Sequence, residues 1–169
     1  VKKYNVSRKY PTSWAYTTPI QAEGYPMYGF FGYHFAGLNE KGETLIYDAQ
    51  GEKTLASNAK VEDVYYQGTA IPKADMSLTN TFNYKSWTLS FMFIAKLGHK
   101  YRKDCFQGSN YNNRYVGQRW KQAGDEEHTI YPNLQSWNMD LFYFPFCDVN
   151  VGNASYLKMR DLTLSYNFD

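Results

Sequence analysis

From Met76 to Lys96, apolar and polar side chains alternate, and the phase of the alternation changes once. Met76, Leu78, Phe82 and Tyr84 are even-numbered, with Asn80 the exception; Trp87, Leu89, Phe91, Phe93 and Ala95 are odd-numbered. Successive side chains on a strand point to opposite faces, so a flip at Lys85-Ser86 is what a two-residue hairpin turn produces. The predicted pairs are Tyr84 with Trp87, Phe82 with Leu89, Leu78 with Phe93 and Met76 with Ala95, all on one face. The opposite face carries Thr79, Thr81, Asn83, Thr88 and Ser90, plus Met92 and Ile94. Each arm is about nine or ten residues long, the length of a tilted strand that crosses a bilayer. Tyr84 and Trp87 sit beside the turn, where an interfacial aromatic belt lies.

A second alternating run closes the sequence: Leu162, Leu164, Tyr166 and Phe168 share one face, and Asp161, Thr163, Ser165 and Asn167 the other. This is apolar-out, polar-in patterning if the outside is lipid. Upstream, Tyr25 to Leu38 is strand-like but interrupted by Gly29, Gly32 and Gly37, which predicts bulges or close backbone approach. Asn39-Glu40-Lys41-Gly42 and Asp48-Ala49-Gln50-Gly51 are turn signals, with a short strand predicted over Thr44 to Tyr47. Residues 52–68 read as polar loop. The interval from Gly98 to Ala154 reads as one long loop region rich in Gly and Asn, with Pro132 and Pro145. Such a loop counts against a compact soluble domain, but barrels of the bacterial outer membrane combine short turns on one side with long loops on the other. No segment sustains a helical apolar stripe.

Composition sharpens the choice. Aromatics make up 19% of the 169 residues (17 Tyr, 11 Phe, 4 Trp), yet mean hydropathy is −0.63. Aromatic girdles of a membrane barrel demand such a balance; a soluble β-sandwich with a Tyr-rich binding face is the alternative. Net charge is +2. The loose basic start at Lys2, Lys3, Arg8 and Lys9 reads as a solvated strand end, and nothing supports a nucleic-acid partner. No apolar run is long enough for a membrane-spanning helix. The sequence starts at Val1 without a signal peptide, so a mature product or a fragment is expected. Cys105 and Cys147 lack metal-ligand spacing; a disulfide and two unpaired thiols both remain open.

Catalysis finds little footing. His34, His99 and His128 are scattered, and no nucleophile elbow or phosphate-binding loop occurs. Asp125, Glu126, Glu127 and His128 form an acidic cluster that reads as a solvated turn after Gly124 rather than a cation site. The expectation is a non-enzyme with no cofactor and no metal. Binding is better supported: Trp120, Asp125, Tyr131, Trp137, Asp140 and Tyr143 are loop residues that offer stacking surfaces and hydrogen bonds to cargo or a partner, or else pack the loops together.

Several stretches, in order, resemble the SusC/RagA family of TonB-dependent outer-membrane transporters. Gly24 to Leu38 resembles the family's E-G-x-P pattern followed by an aromatic strand ending in Gly-Leu. Gly68-Thr-Ala-Ile-Pro72, then Leu78-Thr-Asn-Thr-Phe-Asn-Tyr-Lys85, is similar to its G-x-x-x-P and L-x-N-x-F-x-Y-K strand, and Trp87 to Gly98 to the return strand. Arg119-Trp120, Gly124-Asp125 and Pro132 resemble an R-W-x-x-x-G-D…P loop motif. Ala154 to Tyr166 is similar to the S-x-L-x-x-x-x-L-x-L-x-Y strand. The resemblance implies a plugged barrel in the bacterial outer membrane, energised by TonB, with a SusD-like lipoprotein as lid and glycans or peptides as cargo.

The expectation is therefore an all-β chain: antiparallel transmembrane β-barrel strands forming part of a barrel, with long extracellular loops. Residues 1–169 are expected to be a fragment of a TonB-dependent receptor barrel domain, with no plug domain. Its partners would be the rest of the barrel and the plug, the lid lipoprotein, TonB, outer-membrane lipid and cargo. The lipid-facing residues would be Leu78, Phe82, Tyr84, Trp87, Leu89, Phe91, Phe93, Leu162, Leu164, Tyr166 and Phe168. The rival, a soluble carbohydrate-binding β-sandwich, predicts instead that Phe82, Leu89, Phe91 and Phe93 pack against a second sheet within the chain.

Overall fold

A computed structural model describes residues 24–107, 110–111, 113–134 and 139–168. Strands dominate: β1 Gly29–Gly32, β2 His34–Leu38, β3 Thr44–Tyr47, β4 Lys53–Leu55, β5 Tyr65–Thr69, β6 Ala74–Tyr84, β7 Trp87–Leu97, β8 Lys100–Arg102, β9 Phe106–Gln107, β10 Asn110–Tyr111, β11 Val151–Asn153 and β12 Tyr156–Tyr166. Two short helices, α1 Asn113–Val116 and α2 Met139–Tyr143, and several 3-10 turns complete it. No described helix is long and apolar enough to cross a membrane. The chain divides into two units, one built from residues up to 70 with 101–152, the other from 71–100 with 153–169.

The second unit is a three-stranded antiparallel sheet in the order β12-β7-β6. The hairpin has the predicted register: Tyr84 opposes Trp87, Phe82 Leu89, Leu78 Phe93 and Met76 Ala95. Lys85 takes the positive φ (51°) that the tight turn requires. Both arms run to eleven residues, slightly longer than expected. β12 adds to the free side of β7, with Leu164 opposite Leu89, Leu162 opposite Phe91 and Tyr166 opposite Trp87.

A bulge lies between Met159 and Asp161. The extra residue, Arg160, changes the parity of β12, so Leu157 opposite Ala95 and Met159 opposite Phe93 join the same face as Leu162, Leu164 and Tyr166. That face is apolar along all three strands except at Asn80. Its side chains are exposed: Leu78 56%, Phe82 58%, Tyr84 71% and Leu164 63%. The sandwich expectation is thus overturned, because Phe82 and Leu89 are exposed rather than packed against a second sheet. Phe91 and Phe93 are half-buried by neighbouring rings, with Phe82–Phe91 centroids 5.9 Å apart and Phe91–Phe93 5.5 Å.

The opposite face is polar apart from Met92 and Ile94, and self-bonded. Thr81 donates to Ser90 (3.2 Å) and Thr88 to Asn83 (2.7 Å), and Lys96 pairs with Asp75 at 3.0 Å. At the end away from the hairpin turn, Gly98 N–H donates to the Ser155 hydroxyl (2.9 Å) and Lys73 N–H to the Leu97 carbonyl (2.8 Å). Gly98 has φ +78°, and a Cβ there would press on Lys73.

The first unit is organised differently. β2, β3 and β4 form a small meander, and β1 pairs with β5. Its two turns use one device. The Asn39 side-chain oxygen accepts from Lys41 and Glu43 N–H, and Asp48 likewise accepts from Gln50 and Glu52 N–H. Gly42 and Gly51 supply the positive φ that follows. Register shifts fall at Phe30/Phe31 and at Phe35/Gly37, so the glycine-rich stretch does contain the predicted bulges.

Two expectations need correction. Residues 52–68 are not polar loop: they hold β4, two 3-10 turns and β5. Nor is the stretch from Gly98 to Ala154 merely loop, because it supplies half of a core. Phe146 and Cys147 pack with Phe31, Tyr33, Ile46 and Ala56, while Cys105 and Phe106 pack with Tyr131 and Phe144; Phe35 and Val149 touch both clusters. Tyr33 N–H donates to the Phe146 carbonyl (3.1 Å) and Asp148 N–H to the Tyr33 carbonyl (3.0 Å). A Cβ on Gly32 would fall directly on that Phe146 carbonyl, so the close approach requires glycine there. Both cysteines are buried and free, and burial pushes both thiols above their ordinary range. Arg102 is held between the rings of Phe30 (5.3 Å) and Phe146 (5.0 Å) and donates to the Phe31 carbonyl; burial lowers its guanidinium to about 10.

Candidate functional site

Trp120, Asp125, Tyr131 and Tyr143, singled out from the sequence, lie in the first unit and have partners within it. Residues 119–134 close on themselves. The Trp120 indole donates to Glu126 Oε2 (2.9 Å), which also accepts from Gly124 N–H (2.8 Å). These bonds hold the Glu126 carboxyl below its usual range, the indole first among the causes. Asp125 Oδ2 accepts from Lys121 and Gln122 N–H. Gly124 sits at φ +100°, so the Arg-Trp-x-x-x-Gly-Asp spacing has a local reason: a carboxylate-capped turn with glycine in the left-handed region. Trp120 also lies over Gly42, whose missing side chain makes room for the ring, and Asn133 N–H donates to the Gly42 carbonyl (2.9 Å).

Tyr131 is buried between Phe106 (5.9 Å) and Tyr115 (5.1 Å), and burial raises its phenol. Tyr143 packs edge-on against Tyr33 at 5.8 Å. Asp140 belongs to α2, but its side chain, like all of Trp137, lies outside the described residues. The structure therefore brings Trp120 and Asp125 into one turn and places Tyr131 and Tyr143 in packing positions. A polar cavity of about 610 Å³ opens beside that turn, lined by Gln118, Arg119, Lys121, Gln122, Asp125 and His128. Among the described residues no three metal-ligating side chains converge.

A second cavity, about 310 Å³, is one that sequence reading missed. Tyr25, Phe31, Tyr65 and Tyr66 line it together with Val61, Glu62 and Val64. Tyr25 meets Phe31 edge-on at 5.2 Å and 82°, Phe31 meets Tyr66 at 5.5 Å and 60°, and Tyr25 tilts against Tyr66 at 5.1 Å and 39°. Gly29 permits this: a Cβ there would reach 2.9 Å from the Phe31 ring and 3.1 Å from Tyr66.

Beneath the pocket wall, Asp148 organises three donors. Tyr65 donates its hydroxyl to Oδ2 (2.9 Å), His34 Nδ1 lies 3.0 Å from the same oxygen, and Phe35 N–H donates to Oδ1 (3.1 Å). The His34 ring stacks on Tyr65 at 3.6 Å and 11°. Desolvation, then the bond to Asp148, raises the Tyr65 phenol well above its ordinary value. The Tyr65-Tyr66 pair at the end of an otherwise polar stretch was the available signal. His34 and Asp148 are 114 positions apart, and nothing in the sequence joins them.

No family profile and no curated protein matches the chain. Solved structures do. The chain is similar to the RagAB peptide transporter at 22% identity and TM-score 0.60, over 85% of this chain and 16% of that one. It is similar to the RagAB peptide importer in its "open-open" state at 20% identity and TM-score 0.60, with the same coverage. For the "closed-closed" state the figures are 23% and 0.59, over 86% of this chain and 17% of that one. The chain thus spans about a sixth of the length of the proteins it matches. At this identity the likeness concerns fold: an all-β chain that resembles part of a β-barrel transporter, its described strands forming no closed barrel.

Proposed function

We propose that this chain forms part of the wall and the external loops of a SusC/RagA-type, TonB-dependent transporter in the bacterial outer membrane. The observation that carries this reading is the continuous, exposed apolar face of β6, β7 and β12. Eleven residues at about 3.3 Å each span roughly 36 Å, and a tilt of about 45° brings that near the 25 Å of a barrel's apolar band. Leu78, Phe82, Leu89, Phe91, Phe93, Leu162 and Leu164 then face acyl chains, with Tyr84, Trp87, Tyr166 and Phe168 at the interfacial end. Three strands with open edges are not a viable spanning structure, so the sheet needs further strands as partners. The loop unit faces cargo, a peptide or glycan, and a SusD-like lid. Its part is binding and gated passage, with no bond made or broken.

The test is a nitroxide scan along β7. Single cysteines from Thr88 to Ala95 are introduced with Cys105 and Cys147 replaced by Ser, in the polypeptide that carries this chain, reconstituted in bilayers. Oxygen, which concentrates in lipid, should relax labels at 89, 91, 93 and 95, and an aqueous nickel chelate those at 88 and 90. Odd positions shielded from both would defeat the proposal.

A further inference from the structure

The aromatic pocket in the first unit has features beyond general stickiness. Tyr25, Phe31, Tyr65 and Tyr66 line about 310 Å³ together with Val61, Glu62 and Val64, a volume near the lower end of ligand-pocket sizes and suited to one side chain. Tyr25, Phe31 and Tyr66 pack on one another, with centroids 5.2, 5.5 and 5.1 Å apart, and form an aromatic wall of this volume. A cation gains from each ring face it meets within about 6 Å. Glu62 adds a carboxylate to the lining, and among the described residues no Lys or Arg lines the pocket to neutralise it. Tyr65 is fixed by its bond to Asp148 and its stack on His34, so the β5 part of the lining is preorganised.

We propose that this pocket is a subsite for the cationic side chain, lysine or arginine, of an extended peptide. As a statement about cargo, this rests on the importer reading above. The binding itself needs no lipid, so it can fail while the β7 periodicity stands, and the reverse.

The experiment is titration calorimetry of the detergent-solubilised polypeptide that carries this chain. The probes are N-acetylated Ala-Lys-Ala, Ala-Arg-Ala and Ala-norleucine-Ala, the last matching lysine's shape without its charge. The basic peptides should bind roughly tenfold more tightly than the norleucine peptide, the scale of a desolvated cation–π contact with charge pairing. Glu62→Gln and Tyr25→Leu, both at exposed positions, should each erase most of that preference. Equal affinity for lysine and norleucine peptides would overturn the proposal. So would absence of binding, or a maltooligosaccharide that binds better than any peptide and is lost in Tyr25→Leu.

Discussion

The two units use the same amino acids to opposite ends. In the β6-β7-β12 sheet, Phe82, Leu162 and Leu164 lie at least half exposed on one ordered face. In the first unit Phe31, Phe106 and Phe144 are essentially buried, reached by chain segments far apart in sequence. Apolar content alone does not separate these cases. What does is periodicity: strict alternation along eleven-residue strands produces a flat apolar face that its own unit cannot cover, whereas irregular spacing on strands of two to five residues produces knots of rings that cover one another. The sheet therefore depends on its surroundings, and the loop unit on its own packing.

The largest expected effect tests that division. Phe144 is fully buried, with ring neighbours Phe35 and Phe106 at 5.9 Å and Tyr131 at 6.1 Å. Phe144→Ala should cost the first unit about 3–5 kcal/mol through lost contacts and a cavity. Hydrogen exchange should rise in peptides covering Ile46 and Phe146 while those covering Phe91 stay protected. Phe93→Ala, on the exposed face, should do far less to either. Equal destabilisation of both units by both variants would mean that the contrast is one of appearance only.

The unequal legibility of the two units has the same origin. The hairpin register, both Asx-type turns and β3 could be placed because each is set by residues within a few positions of one another. The loop core could not. Tyr33 bridges to Cys147, Arg102 bonds the Phe31 carbonyl, and Asp148 gathers His34 and Tyr65; such contacts leave no local period. The candidate site suffered in the same way. Trp120 and Tyr131 stood out as loop aromatics and have local partners in Glu126 and Tyr115, while the Tyr25–Phe31–Tyr66 cluster depends on β1 meeting β5. Leu157 and Met159 on the apolar face of β12 also escaped, because the parity change at Arg160 comes without any turn residue to announce it.

A smaller effect separates the two faces of the sheet. Phe91 sits near the middle of β7, between Asn80 and Leu162 on its neighbours. Phe91→Arg should lower the stability of the bilayer-inserted protein by about 2–4 kcal/mol, the cost of a cation on the lipid face near the midplane. Ser90→Arg, one position along and on the other face, should cost much less. Urea-induced unfolding from vesicles measures both, and equal costs would remove the distinction between a lipid side and a watery side.

The mildest prediction concerns the bulge itself. Deleting Arg160 joins Met159, opposite Phe93, directly to Asp161, opposite Met92. The ladder becomes regular, and Leu157, Met159, Leu162 and Leu164 all keep their face. Deleting Thr163 instead makes Leu162 and Leu164 consecutive, so one of the two must turn to the polar side. The yield of folded protein in the membrane should be unchanged by the first deletion and sharply reduced by the second, although each removes one residue from the same strand. If removing Arg160 were as damaging as removing Thr163, the bulge would have a role beyond parity, and the apolar face would not be what the strand's register protects.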